Sequence, residues 1–231
     1  MKNISQNQLE TLRKYDTPTI VNSLELLDSK FRTSGFTKKQ LICTDTSLPP
    51  IVGYARTVTI SASNEIDQQI KRERSLEYYQ YISSGTGPWV SVIQDIDPNP
   101  GFGAFWGEVN SNIHKALGGI GVLTNGSVRD LDVLSEGFKI LAGKIGPAHA
   151  YVRIEETCIP ISIFGMEVNH NDLLHADRHG AVVIPAELSQ KLPEAIELMI
   201  SREKVILDAC KREDFNYQVL RQAIIKSAEI Q

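Results

Sequence analysis

The chain has 231 residues, of which 42% are hydrophobic and 23% are charged, and its formal net charge is −4 at pH 7. These proportions are typical of a globular protein, and the length allows one large α/β domain over residues 1–231 with a substantial core. The acidic balance argues against nonspecific nucleic-acid binding, which depends on a basic surface.

The N-terminus and the cysteines indicate the compartment. Residues 1–8 lack the apolar core of a signal peptide, and no later stretch approaches the length of a membrane span. The cysteines are far apart and odd in number, which suggests neither a disulfide framework nor a metal knuckle; they are Cys43, Cys158 and Cys210. We therefore predict a cytoplasmic protein that does not associate with membranes.

The first half of the chain alternates helix and strand signals. Thr17, which precedes a proline, is predicted to be the N-cap of a helix. Residues 30–50 are predicted to form a loop with a possible edge strand, and residues 51–62 alternate in the manner of a half-buried strand. A partly exposed helix is predicted over residues 67–83 and a buried strand over residues 88–93.

A glycine-rich loop follows at residues 101–107. Glycine permits the dihedral angles and the close approach that turn backbone N–H groups toward an anion. A helix is predicted to begin near Phe105, with Val109, Ile113 and Ala116 at helical spacing, and to end at two consecutive glycines. Glu108 lies in its first turn, where the helix dipole favours a carboxylate close to the loop.

A short apolar strand, residues 120–123, leads through an Asn-Gly turn to Arg129 and Asp130. Adjacent arginine and aspartate are common at surfaces, and Asp130 could simply start a helix. At the carboxyl edge of an α/β sheet, however, the arginine can fork onto a carboxylate and the aspartate can hold a hydrated divalent cation. Asp95 and Asp97, after the preceding strand, are expected to line the same site.

The second half contains several strands with few helices between them, which predicts a mixed β-sheet. A short helix over residues 131–136 and a strand over residues 138–142 are followed by apolar segments at 159–163 and 181–184. A long helix begins at Pro193 and a final one is predicted over residues 215–225, so helices lie at both termini.

Two other sites are suggested by spacing. Gly101, Gly103 and Gly107 invite a dinucleotide-binding interpretation, but prolines interrupt the strand-to-helix turn that such a motif requires. His175 and His179 would suit zinc on a helix, yet the valine-rich continuation favours strand and loop. We disfavour both interpretations.

The sequence resembles the RraA-like family, which includes class II pyruvate aldolases and the RraA regulators of ribonuclease E. Trp106-Gly107-Glu108, followed some twenty residues later by Gly-Ser-Val-Arg129-Asp130, carries the resemblance. The stretches VGYARTV at 52–58 and HADRHGAVVIP at 175–185 extend it over most of the chain. The resemblance implies a single layered α/β domain with a mixed sheet, of the swivelling β/β/α type.

The resemblance also implies roles for individual residues. Arg129 would bind the pyruvyl end of the substrate, Asp130 would ligate magnesium or manganese, and Glu108 would order water around the metal. Backbone amides of the loop would hold the pyruvate, from Gly103, Ala104, Phe105, Trp106 and Gly107. Glu203, on the apolar stripe of the long helix, would reach the site of a neighbouring subunit in a trimer or a dimer of trimers.

The sequence departs from many family members in two places. Asn125 stands where they carry aspartate, and His170-Asn171-Asp172 stands where they carry Pro-Gly-Asp. Neither change touches the implied metal ligand, and both bear on which substrate is accepted.

Two functions follow from the resemblance. One is a divalent-metal-dependent lyase that releases pyruvate from a 4-hydroxy-2-oxoacid, and that decarboxylates oxaloacetate by the same enolate route. Its general base is left open, with a metal-bound water ordered by Glu108 or Glu203 as the candidate. The other is a protein-binding regulator of a ribonuclease, which has no need of a metal-binding corner.

Overall fold

Helices and strands alternate along residues 4–85 and 87–230, which the computed structural model describes. The α-helices are Gln6–Leu12 (α1), Thr17–Leu27 (α2), Gln68–Ile82 (α3), Glu108–Ala116 (α4), Ala186–Ser189 (α5), Leu192–Cys210 (α6) and Tyr217–Glu229 (α7). The strands are Ile42–Cys43 (β1), Ile51–Ser61 (β2), Trp89–Asp95 (β3), Ala104–Trp106 (β4), Gly119–Thr124 (β5), Ser127–Val128 (β6), Lys139–Ala142 (β7), Lys144–Ile145 (β8), Arg153–Thr157 (β9), Ile161–Ile163 (β10), Met166–Val168 (β11), Leu173–Asp177 (β12) and Gly180–Ile184 (β13). In this part of the chain no helix is long and apolar enough to cross a bilayer.

The main sheet is mixed, as predicted. Its strand order is β1-β7-β5-β3-β2-β12-β13, and β9 also pairs with β2. The four strands from β7 to β2 are parallel to one another, whereas β1, β12, β13 and β9 are antiparallel to their neighbours. The terminal helices α1, α2, α6 and α7 lie outside this sheet, so the predicted arrangement of helices at both termini is confirmed.

Strand β2 is buried on both faces, which corrects the prediction of a half-buried strand. All eleven of its residues are buried. Val58 belongs to a core cluster with Tyr78 of α3, and Ala55 belongs to another with Met166 of β11. Polar positions such as Thr57 alternate with apolar ones along the strand but do not face bulk solvent, because strands β3, β9 and β12 and the layers above and below enclose them.

A second, smaller sheet consists of the parallel strands β4, β6 and β8. Each of these strands has only two or three residues, which is too short for a periodic sequence pattern to predict it. The carboxyl ends of parallel strands meet at one edge of a sheet. Here that edge brings together the segments that begin at Gly107, Arg129 and Gly146.

Several predicted helix boundaries are corrected. Asp16, not Thr17, is the N-cap of α2, and its Oδ1 accepts a hydrogen bond from the Thr19 backbone N at 3.0 Å. Helix α4 begins at Glu108 rather than near Phe105, since Phe105 belongs to β4. The predicted helix over residues 131–136 is a single 3-10 turn, Leu131–Val133.

The buried face of α4 is polar. The apolar residues at helical spacing do not form it, and Val109 is 69% exposed. His114 is buried instead, and its Nδ1 donates to the Asn110 carbonyl oxygen at 2.6 Å, which leaves Nε2 to accept from the Tyr78 hydroxyl at 2.7 Å. These hydrogen bonds offset the cost of burying an imidazole among aromatic side chains.

A second buried histidine joins the N-terminal segment to the sheet. His175 of β12 directs Nε2 toward the carbonyl oxygens of Leu12 and Tyr15, at 3.2 and 3.1 Å, so this nitrogen carries the proton. Its Nδ1 accepts from the Thr17 hydroxyl at 3.0 Å. Burial lowers the pKa of both His114 and His175 to about 4.

We expect stability to fall as the pH is lowered from about 6.5 toward 4. In that window the unfolded chain binds protons at His114 and His175 that the folded protein excludes, so stability is retained above pH 6.5 and lost below it. Each histidine should cost about 2 kcal/mol between pH 7 and 5. Urea unfolding at the two pH values measures the difference. A free energy of unfolding that does not change between the two pH values would contradict the assignment.

Candidate functional site

The candidate site lies at the carboxyl edge of the small sheet. A cavity of about 90 Å³ opens there, and the segments that follow all three parallel strands contribute to it. It is lined by Ala104, Phe105, Gly107, Val109, Asn110, Arg129, Asp130, His149 and Val152. The structure therefore brings together five of the residues predicted from sequence, Ala104, Phe105, Gly107, Arg129 and Asp130.

Asp130 is held in an unusual conformation between the small sheet and α4. Its φ is 57°, in the left-handed region that few non-glycine residues adopt. Its side chain does not cap the 3-10 turn that follows it. It turns instead to the start of α4, where Oδ2 accepts a hydrogen bond from the Glu108 backbone N at 3.2 Å. The carboxylate is thus fixed beside the positive end of the α4 dipole.

Gly107 makes room for this carboxylate. A Cβ atom at Gly107 would lie 2.5 Å from Asp130 Oδ2 and 3.2 Å from Arg129 Cγ. Its φ of −171° is extended and open to any residue. The glycine is therefore required by space and not by backbone conformation.

Arg129 lies against the same carboxylate. Its Nε is 3.5 Å from Asp130 Oδ2, and the two side chains are 36% and 34% exposed. An ion pair this exposed contributes about 1 kcal/mol or less to stability. Arg129 is therefore not held in place by this ion pair, and the N–H groups of its planar guanidinium can hydrogen-bond to a ligand.

The donor set fits a hard divalent cation. Asp130 supplies a carboxylate at the cavity, and Glu108 places a second, exposed carboxylate in the adjoining turn of α4. Within residues 4–85 and 87–230, no group of three or more His, Cys, Asp or Glu side chains is arranged to hold a metal. A cation at Asp130 would keep water in most of its coordination shell, which suits magnesium because it dehydrates reluctantly.

Two of the predicted substrate-binding residues do not line the cavity. Gly103 packs tightly, since a Cβ there would lie 2.6 Å from both the Ala62 Cβ and the His149 carbonyl oxygen. Trp106 is fully buried and contacts His114, with ring centroids 4.4 Å apart. The backbone N of Ala104 already donates to the Ala148 carbonyl oxygen at 2.9 Å, so it is not available to a substrate.

Asp95 and Asp97 shape the loop and do not line the cavity. Asp95 Oδ2 accepts from the Gly101 backbone N at 2.7 Å. Asp97 accepts from the Ser61 hydroxyl at 2.6 Å and from the Ala62 backbone N at 2.7 Å. Burial raises the pKa of Asp95, whereas the hydrogen bonds to Asp97 outweigh its burial and hold its pKa below the usual value. Both carboxylates therefore anchor the glycine loop to β2 and β3.

Glu203 lies on α6, which packs against α2 and α7, and its side chain is exposed. It is not among the residues that line the cavity of its own chain. Its predicted role in the site of a neighbouring subunit stays a prediction.

His149 is a site residue that the sequence did not reveal. Its Nδ1 donates to the Ala150 carbonyl oxygen at 2.7 Å, so Nε2 keeps the lone pair of the neutral imidazole. His175 and His179 were considered as zinc ligands because they lie close together in sequence. His175 lies in β12 and His179 in the turn before β13, so neither is on a helix, as zinc binding at that spacing would require. Only its position after β8 could have pointed to His149, and a strand of two residues has no periodic pattern from which it could be predicted.

Comparisons with known proteins agree on the fold. The model of the RraA-like family, described as Aldolase/RraA, matches residues 17–183. A structure of an uncharacterized protein from Pseudomonas syringae pv. tomato is 20% identical, with a TM-score of 0.75, and the match covers 97% of this chain and 96% of that one. None of the curated proteins matches the sequence.

Two further similar structures are of RraA proteins. RraAS2 of Streptomyces coelicolor, described as an unusual member of the RNase ES inhibitor RraA protein family, is 20% identical with a TM-score of 0.66, over 87% of this chain and 96% of that one. The RNA-processing inhibitor RraA of Thermus thermophilis is 20% identical with a TM-score of 0.52, over 69% and 90%. At these identities the likeness shows a common fold.

Proposed function

Because the chain belongs to the RraA-like family, we propose that it is a divalent-metal-dependent lyase that releases pyruvate from a 4-hydroxy-2-oxoacid. The observation that carries the proposal is the convergence of Arg129, Asp130 and His149 on one cavity at the ends of three parallel strands. A cation, an anion-binding arginine and a proton acceptor are the groups that cleavage to an enolate requires. The same groups would serve oxaloacetate decarboxylation.

The reaction breaks the bond between C3 and C4 of the substrate. The 4-hydroxyl loses its proton as C4 becomes a carbonyl carbon, and the electron pair of the broken bond moves through C3 and C2 onto the 2-keto oxygen. The resulting enolate takes a proton at C3 and leaves as pyruvate. In oxaloacetate the same bond breaks with loss of carbon dioxide.

Each residue has a part in these steps. Arg129 binds the substrate carboxylate or the developing enolate oxygen through its planar N–H groups. Asp130, with Glu108 nearby, would hold magnesium or manganese, and the bound metal would supply Lewis-acid stabilisation of the enolate. His149 Nε2 accepts the 4-hydroxyl proton, because its lone pair is directed away from the Ala150 carbonyl. Glu108 is the second candidate for ordering water in that transfer.

A coupled assay of pyruvate release tests the proposal. Several 4-hydroxy-2-oxoacids and oxaloacetate are supplied with and without magnesium, and lactate dehydrogenase reports pyruvate. Metal-dependent release from at least one of them supports the lyase; absence of release from all of them with saturating metal would contradict it.

A second candidate is a regulator that binds a ribonuclease. It is favoured by the fold that the chain shares with the two RraA inhibitor structures. The test is the rate of RNA cleavage by a ribonuclease of the E type with the protein added. Asp130→Asn discriminates between the candidates, because inhibition through a surface would persist in a variant that has lost the lyase.

We expect a homo-oligomer, a trimer or a dimer of trimers, in which Glu203 reaches the site of a neighbouring subunit. Sedimentation at the assay concentration measures the size. A mixing experiment tests the shared site: Arg129→Lys and Glu203→Gln preparations, each impaired, are dissociated and reassembled together. About a quarter of the sites would then contain both native residues and regain activity. A fully active monomer would contradict this arrangement.

A further inference from the structure

A second, larger cavity lies at the opposite edge of the main sheet from the glycine loop. Its volume is about 620 Å³, which is ample for a small organic ligand. It lies beside Gly85, which precedes β3, and it is lined by Tyr54 and Arg56 of β2 and by Leu173, the first residue of β12. The glycine loop, in contrast, follows the carboxyl end of β3. The two cavities share no lining residue.

The walls of this cavity divide into an apolar and a polar side. The apolar side contains Ile4, Phe31, Leu173, Ile184 and Pro185. The polar side contains Arg56, Ser84, His170 and Asn171. A ligand that fills the cavity would therefore need one polar end and an apolar body.

Arg56 is the charged group of the polar side, and it is only 4% exposed. Its guanidinium donates through Nη1 to Asn171 Oδ1 and through Nη2 to the Ser84 carbonyl oxygen at 3.2 Å, both of which are neutral acceptors. None of the ion pairs among the described residues involves Arg56, and its buried Nε has no hydrogen-bond partner. A buried cation without a counter-charge is costly, since attraction to neutral dipoles does not repay its desolvation.

Acidic side chains do line the cavity elsewhere. Asp172 accepts hydrogen bonds from the Asn169 backbone N at 2.7 Å and from its side-chain Nδ2 at 3.2 Å, so its carboxylate is turned to its own loop. Glu167 and Glu187 are exposed, as is the cation Lys30. These groups leave the charge of Arg56 uncompensated at the buried end.

The surrounding backbone is shaped to keep the guanidinium in place. Asn171 adopts a left-handed conformation, with φ of 66°, to present its side chain to Arg56. Gly85, with φ of 91°, passes so close that a Cβ there would lie 2.7 Å from Arg56 Nη2. His170 hydrogen-bonds the Tyr81 hydroxyl at 2.7 Å, and burial with the nearby Arg56 charge lowers its pKa.

We propose that this cavity binds a small organic carboxylate with an apolar body, whose carboxylate neutralises Arg56 and whose body lies along Phe31, Leu173 and Ile184. A planar guanidinium matches a carboxylate in geometry, and a carboxylate would supply the missing counter-charge. The site goes beyond the proposed lyase activity, since none of its residues lines the Asp130 cavity.

Octanoate and octanamide are the probes, and their binding to the 231-residue chain is compared by isothermal titration calorimetry. They have the same shape and differ in charge. We expect octanoate to bind at one site per chain and octanamide at least tenfold more weakly. Equal affinity for the two would overturn the proposal, because the cavity would then be an apolar pocket without carboxylate recognition. Absence of saturable octanoate binding at millimolar concentration would also overturn it.

Four variants separate recognition from folding. Arg56→Gln should weaken octanoate binding at least tenfold, whereas Lys30→Gln, which removes an exposed cation of the same cavity, should change it less than twofold.

Ala186 is exposed and lines the cavity, so Ala186→Trp should block binding while Arg56 stays in place. That variant tests the site even if Arg56→Gln fails to fold. Arg129→Lys should bind octanoate as the native protein does; loss of binding there would assign octanoate to the other cavity and overturn the proposal.

Discussion

Treatment with EDTA is expected to abolish pyruvate release, and added magnesium or manganese is expected to restore it. Asp130 is the carboxylate that lines the cavity, so water would fill most of the coordination shell and the metal would exchange easily. Lewis-acid stabilisation of an enolate contributes several kcal/mol, and its loss should slow turnover about a thousandfold. Undiminished turnover in a metal-stripped sample would exclude the mechanism.

Asp130→Asn provides a matched variant for this experiment. Asparagine tolerates a left-handed backbone, and its side-chain oxygen can still accept the hydrogen bond from the Glu108 backbone N. The fold and the melting temperature should therefore be retained. Activity should fall as far as with EDTA, and magnesium at its usual concentration should not restore it. Full activity in this variant would remove Asp130 from the proposed site.

Arg129→Lys is expected to lower turnover about a hundredfold with an unchanged melting temperature. Lysine keeps the charge but loses the planar fork, and losing such a contact to a developing oxyanion typically costs about 3 kcal/mol. The ion pair with Asp130 is about one third exposed, so its weakening should scarcely change stability. Pyruvate release and thermal unfolding are measured on the same preparation.

Arg32→Lys is the control for Arg129→Lys. Arg32 is also paired with a carboxylate, Glu25, at 2.8 Å, but its side chain is 69% exposed and does not line the Asp130 cavity. Its replacement should affect neither activity nor stability. Native kinetics in Arg129→Lys would instead leave Arg129 and Asp130 as a surface pair and favour the ribonuclease regulator.

The long elements of the fold could be predicted from sequence because their signals are local. The strand over residues 88–93 and the helix over 67–83 contain enough residues for a period to emerge, and both are present with small shifts at their ends. Strand β2 was identified as a strand, but its burial on both faces depends on layers contributed by distant segments. The alternation of apolar and polar residues in β2 therefore led to the wrong prediction that one of its faces is exposed to solvent.

The site was predictable only in part, for a similar reason. Arg129 and Asp130 stand out as adjacent charges after a turn, and the resemblance to a family gave them roles. His149 has no such signal, because it reaches the cavity through β8, a two-residue strand of the small sheet. The polar face of α4 was also hidden: nothing in the spacing of Ser111 and His114 indicates that partners from α3 and the 131–136 segment would satisfy them.

The position of β2 in the middle of the main sheet has a consequence for how the chain folds. Tyr54 is paired with Trp89 of β3 on one side and with Leu173 of β12 on the other. During synthesis β12 leaves the ribosome much later than β2, so β2 cannot complete its pairing until then. Pairings between distant segments are slow to form, since the intervening chain must be closed into a loop first. Until β12 arrives, one edge of β2 is unpaired and open to association with other chains. Refolding should accordingly be slow and sensitive to protein concentration, with β3 joining β2 early and β12 completing the sheet last.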